Sequence, residues 1–240
     1  MTIQLRPTIR LDVRENGPKG ASNGGFACGT FAGLVGGTAE VRLAAPVPLG
    51  VDLDTLVDGS QAEVRLAGRT LATIRATEPF VLVPAERPTL DQAVRARRRH
   101  PFLGVKHPLS DCVVCGPERT DGLRVTPGPL DDHPDVLAAP FLPTDRFAVD
   151  GRVRAAAVWG ALDCPSYPAA EARSRRLGLL GTLEAHQVRP IQVGEELVVV
   201  GWTVGVGERS NRTASAIIDR DGEVVASARA VWVTMRDRPA

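Results

Sequence analysis

Ser22-Asn23-Gly24-Gly25-Phe26-Ala27-Cys28-Gly29-Thr30-Phe31-Ala32-Gly33-Leu34-Val35-Gly36-Gly37 carries no charged residue and is small or apolar throughout. Ser22 or Asn23 supplies an N-cap and Gly36-Gly37 a stop, so the stretch predicts a helix. A helix that is apolar on every side must be buried rather than laid on a surface. Gly29 and Gly33 stand on one face and let a neighbour pack close. Strand-like segments flank the stretch, which predicts a short central helix wrapped by an antiparallel sheet.

Before the helix, Ile9, Leu11 and Val13 alternate with Arg10, Asp12 and Arg14, the pattern of a strand with one buried face. After it, Thr38 to Leu43 and Val51 to Val57 read as strands. Gln61 to Leu66 and Leu71 to Thr77 form a hairpin turning at Ala67-Gly68-Arg69. Pro79, Pro84 and Pro88 break the pattern. Thr89 then caps a helix predicted over Leu90 to His100. Its Arg95, Arg97, Arg98 and Arg99 read as a solvated face, or as a site for the phosphates of a nucleotide-bearing ligand. A loop with His107, Cys112 and Cys115 follows.

The chain then repeats itself. Gly37-Thr38-Ala39-Glu40, followed by Pro46 and Gly50, recurs 144 residues later as Gly181-Thr182-Leu183-Glu184, followed by Pro190 and Gly194. The hairpin recurs from Thr213 to Val233 around Asp221-Gly222. Arg154 to Asp163, Ala-rich and stopped by Pro165, is the counterpart of the central helix. The expected organisation is α+β: one repeat over 1–84, a linker with a helix and the Cys-x-x-Cys loop over 85–120, and a second repeat over 121–240. The two sheets are expected to join edge to edge or to pack as a pair.

Composition bounds the partners. With 240 residues, 43% hydrophobic and 24% charged, the chain is ordinary globular material. A net charge of +1 gives no argument for nucleic acid or an anionic membrane. No apolar run reaches the ~20 residues of a membrane span. The segment Met1 to Leu11 has no apolar core run and reads as no signal peptide, so a cytoplasmic protein with reduced thiols is expected.

Two copies of a sheet around a central apolar helix resemble the hotdog fold, and specifically a tandem (double) hotdog of the thioesterase superfamily. The residues that carry the resemblance are Asn23-Gly24-Gly25 and Val158-Trp159-Gly160-Ala161-Leu162-Asp163-Cys164. Cys112-Val113-Val114-Cys115-Gly116-Pro117 with Asp121-Gly122-Leu123 also resembles a set of bacterial double-hotdog proteins of poorly defined function. The resemblance implies an acyl-CoA thioesterase-like hydrolase. In such enzymes a His-Gly-Gly-like turn at a helix start polarises a thioester carbonyl, and a carboxylate about nine residues further on activates water or attacks directly.

Here the two parts are split. The first repeat has Asn23-Gly24-Gly25 but Ala32 nine residues on; the second begins Arg154-Ala155-Ala156 but has Asp163 nine residues on. One composite site between the repeats is therefore expected, and its mirror image is dead. Asp163, Asn23 and Gly25 are the expected catalytic residues. Gly24, Cys28, Gly29, Trp159, Gly160, Ser166 and Tyr167 are expected to bind an acyl-CoA or acyl-thioester, with an acyl tunnel past Gly29 and Ala161. Ser166 and Tyr167 are placed to orient water. The other reading is a non-catalytic acyl-CoA or lipid-binding module, supported by Asn in place of His at position 23.

Cys112 and Cys115 with His107 offer three zinc-type ligands where a structural zinc site takes four. No metal and no cofactor is assigned. A chain of this kind can stand as a monomer or pair again as a homo-oligomer.

Overall fold

A computed structural model describes residues 4–235. In chain order the elements are β1 (Gln4–Ile9), α1 (Gly24–Ala32), β2 (Ala39–Leu43), β3 (Leu53–Asp58), β4 (Gln61–Leu66), β5 (Arg69–Ala76) and α2 (Leu90–Arg97). There follow β6 (Gly128–Pro129), β7 (Val136–Phe141), β8 (Ala148–Val149), β9 (Arg152–Val153), α3 (Ala155–Asp163) and α4 (Ala169–Arg173). The long strands β10 (Gly178–Gln187), β11 (Leu197–Val206), β12 (Ser210–Ile218) and β13 (Val224–Thr234) complete the order.

The strands form one sheet of 11, ordered β1-β3-β4-β5-β2-β10-β13-β12-β11-β7-β6, where two sheets were expected to join edge to edge or to pack as a pair. The two halves merge because β2 pairs antiparallel with β10, so neither strand remains an open edge. At that junction Glu40 stands opposite Glu184, the residue 144 positions on, and Ala39 opposite Ala185. Like charges directly opposite are unfavourable. Arg75 answers Glu40 and Arg229 answers Glu184, each at 3.2 Å. Thr38 Oγ1 meets His186 Nδ1 at 2.6 Å across the same junction.

α1 and α3 lie on one face of this sheet, in a core containing Phe26, Phe31, Phe141, Phe147, Leu162 and Leu183. α2 covers the other face: its Ala93 and Ala96 pack on Ala138, Val198, Val200 and Ile218. The Thr89 hydroxyl and the Gln92 side chain cap this helix reciprocally, and it stops at Arg97 rather than at His100.

Two local expectations are corrected. The first strand ends at Ile9, and Val13 is 65% exposed rather than buried. Asp12 breaks the alternation: its carboxylate accepts from Arg14 N at 2.8 Å and its carbonyl from Glu15 N at 2.9 Å, which curls the chain into a turn. The central helix ends at Ala32, short of Gly36. Leu34 N and Val35 N bond back three residues to Phe31 and Ala32, tightening the exit, and Gly36 and Gly37 take the positive φ of the turn that follows.

Candidate active site

The candidate site is built where the start of α1 meets the end of α3. Asn23 caps α1: its Oδ1 accepts from Phe26 N at 3.0 Å. That bond fixes the orientation of the amide, so Nδ2 points away from the helix and donates to Asp163 Oδ2 at 2.9 Å. The same carboxylate oxygen accepts from Gly25 N, also at 2.9 Å. A carboxylate at the end of α3 thus sits on the amides at the positive start of α1, where negative charge is favoured. The sequence expectation that Asp163 and the Asn23–Gly25 turn belong together corresponds to a direct hydrogen bond.

The glycines explain how the helices come so close. A Cβ on Gly25 would lie 2.5 Å from Trp159 O and 2.6 Å from Asp163 Cβ; one on Gly29 would lie 2.7 Å from Ala156 Cα and Trp159 Cβ. Gly160 in turn leaves room for the Phe26 ring, 2.5 Å from where its Cβ would be. Among the described residues no acyl tunnel opens at Gly29: the Trp159 side chain and the α3 backbone fill that space.

α3 ends where it does because its last carbonyls find hydroxyl donors. Ser215 Oγ donates to Leu162 O and Ser166 Oγ to Asp163 O, each at 2.7 Å. Cys164–Ser166 then forms one tight 3-10 turn, and Gly201 of β11 leaves space for the Pro165 carbonyl. Ser166 also accepts from Trp232 Nε1 at 2.9 Å, so it ties the turn to β13 rather than orienting water. Tyr167 donates to Arg176 O at 2.7 Å and stacks edge-on against Trp232, away from the carboxylate. Gly24 borders the site, with Leu180 filling the space beside it. Cys28 is buried in the core, and burial pushes its thiol up.

Asp163 is 2% exposed, and its Oδ1 has no hydrogen-bond partner. Burial pushes its pKa up to about 7; the Gly25 amide and the Asn23 side chain pull it down, and the nearby Cys112 pushes it up. The mirror positions do not repeat this pair: Ala32, the counterpart of Asp163, is buried and has no acid, and Arg154, the counterpart of Asn23, turns to Glu15 at 2.9 Å.

The loop carrying Cys112 closes over this point. Val113 N bonds to Asn16 O at 2.8 Å, and Val114 packs at Gly160. Asn23 Nδ2 lies 3.8 Å from both Cys112 Sγ and Cys164 Sγ. Cys112, Cys115 and Cys164 hold their sulfurs within 4.8 Å of one another, with no disulfide. Hydrogen bonds from the other two thiols hold Cys112 well below the usual thiol range, while Cys115 and Cys164 are pushed up. His107, the expected companion of the Cys-x-x-Cys pair, stays outside this cluster; its Nδ1 accepts from Leu109 N at 3.2 Å. Cys164 takes that place. Its nearness to Cys112 depends on the loop folding back onto the end of α3, which spacing alone does not reveal.

No protein-family model matches the chain, and no curated protein matches it. Solved structures do. The tesB protein of Mycobacterium avium subsp. paratuberculosis superposes with a TM-score of 0.63 at 10% identity, covering 97% of this chain and 96% of that one. A provisionally assigned oleoyl thioesterase of Lactobacillus plantarum gives 0.61 at 11% identity, covering 98% of each chain. A conserved protein of unknown function with a hot dog fold from Alicyclobacillus acidocaldarius gives 0.54 at 11% identity, covering 98% of this chain and 97% of that one. The sheet wrapped around α1 and α3 is therefore the hotdog fold, shared over nearly the whole chain with structures described as thioesterases.

Proposed function

We propose that the protein is an acyl-CoA thioesterase-like hydrolase with one composite site between two hotdog units in tandem. The strand order supports the tandem reading, since it runs alike outward from the β2–β10 junction: β5, β4, β3, β1 on one side and β13, β12, β11, β7 on the other. The observation that carries the functional reading is the 2.9 Å bond from Gly25 N to Asp163 Oδ2.

In the working site the thioester carbonyl oxygen takes the place of Asp163 Oδ2 on the Gly25 N–H. That amide then faces the oxygen on which charge develops. Asp163, still held by Asn23, accepts a proton from a water whose oxygen bonds to the carbonyl carbon. The C–S bond breaks, and the proton passes to the leaving thiolate. A single site per chain follows from Ala32 and Arg154 at the mirror positions. Unbridged thiols suit the cytoplasm.

The burial of Asp163 favours a second reading, a non-catalytic acyl-CoA or lipid-binding module in which the carboxylate only ties the helices together. A panel of acyl-CoAs of increasing chain length separates the two. Release of free coenzyme A supports the hydrolase, and saturable binding with no release selects the binding module.

A further inference from the structure

We propose that Cys112, Cys115 and Cys164 form a binding site for a thiophilic metal ion, zinc first among them, with a fourth position open to a water. The three sulfurs come from two distant parts of the chain: the loop before β6 and the turn that ends α3. They nevertheless lie within 4.8 Å of one another. In a tetrahedral site with Zn–S of about 2.3 Å the sulfurs stand about 3.8 Å apart. A small contraction suffices to reach that spacing, whereas a disulfide needs about 2.05 Å.

The loop has the shape a metal-binding turn requires. Val114 N donates to Cys112 Sγ at 3.4 Å, a bond that favours the thiolate form. Gly116 N bonds to Cys112 O at 2.9 Å and closes the turn tightly. A Cβ on Gly116 would lie 2.6 Å from Cys112 O, so the residue after the second cysteine must be glycine. Asn23 Nδ2, 3.8 Å from two of the sulfurs, adds a second donor to the thiolates.

Asp163 borders this cluster without joining it: among the described residues no carboxylate oxygen lies within 4.8 Å of all three sulfurs. Asp163 precedes Cys164 directly, is 2% exposed, and leaves Oδ1 buried with no partner. Its other oxygen shares the Asn23 amide with Cys112 and Cys164. An oxygen in that state lacks the partner that buried polar atoms ordinarily have. Soft thiolates select zinc or a copper(I)-like ion over magnesium or calcium. A bound ion would pin the linker loop to the end of α3. This inference does not rest on the hydrolase reading, and its test does not use activity.

The test takes the full chain, purified under reductant and without chelator, and measures metal by elemental analysis. About one zinc per chain is expected. Adding cobalt(II) to chelator-stripped protein should produce a thiolate-to-cobalt charge-transfer band. Cys164→Ala should weaken that band by about one-third and lower metal affinity at least tenfold, as loss of a ligand or its support does. His107→Ala should leave both unchanged. Should Cys164→Ala misfold, the wild-type readings decide alone. Wild-type protein with under a tenth of a zinc per chain and no cobalt band overturns the proposal. So does alkylation mass spectrometry showing a Cys112–Cys115 disulfide in protein isolated without reductant.

Discussion

Gly25 and Asp163 stand 138 positions apart in the chain and are joined by a 2.9 Å hydrogen bond from the backbone of one to the carboxylate of the other. The bond spans the two helices packed on one face of the sheet. Because the donor is a backbone amide, no substitution at position 25 other than proline removes it. Space, not chemistry, is what a side chain there would disturb. Gly25→Ala would put a Cβ 2.5 Å from Trp159 O. It should cost about 1–3 kcal/mol, as overpacking does, and lower the urea midpoint with an unchanged slope.

Asn23 does two things at once, so its loss should show twice. Asn23→Ala removes the cap on Phe26 N and one of the two donors to the Asp163 carboxylate. A lost cap costs about 0.5–2 kcal/mol, and the lost hydrogen bond to a buried carboxylate that keeps the Gly25 amide adds about 1.5–3 kcal/mol. Asn23→Asp keeps the cap but faces Asp163 with a second acid. Equilibrium denaturation should rank wild type above both, and both variants should lose stability more than a surface Asn does.

The Glu40–Glu184 pairing at the β2–β10 junction depends on Arg75 and Arg229. All four side chains are partly exposed, so each ion pair alone should be worth at most about 1 kcal/mol. Arg75→Ala together with Arg229→Ala leaves two acids opposed without a counter-charge. The double variant should be destabilised by more than the sum of the singles, and added salt should reduce the excess.

Burial pushes the His100 imidazole below its usual range, although its Nδ1 is 2.6 Å from Pro127 O. The folded protein therefore prefers the neutral ring. Stability from this group is complete above the unfolded value near 6.5. It falls as pH drops through that value toward the lower folded one, because the unfolded chain takes up the proton first. Urea midpoints at successive pH values should show this loss in wild type and less of it in His100→Gln.

Much of the fold was legible because its signals are local. The uncharged run around Phe26 and Phe31 has nowhere to go but the core, and Ala67-Gly68 turns β4 into β5 at the expected place. The 144-residue repeat made Glu184 the counterpart of Glu40 without revealing that the two pair; in the structure a twofold relation between halves sets the residue against its own counterpart. The failures arise where a side chain overrides a pattern. Asp12 turns a run that alternates like a strand. Trp159, small in no sense, fills the space that the glycines of α1 leave open. The nearness of Cys164 to Cys112 was hidden for another reason: Pro165 marked the end of α3, but the folding of the Cys112 loop back onto that end is a long-range contact with no local trace.

The most direct test of the composite site is the rate of acyl-CoA hydrolysis by Asp163→Asn, with free coenzyme A quantified by chromatography. Asparagine keeps an oxygen for the Gly25 amide, so the fold should stand, and circular dichroism would verify it. A turnover number at least about 100-fold below wild type is the predicted result, the scale of a lost general base. Equal rates in the two proteins would contradict the account.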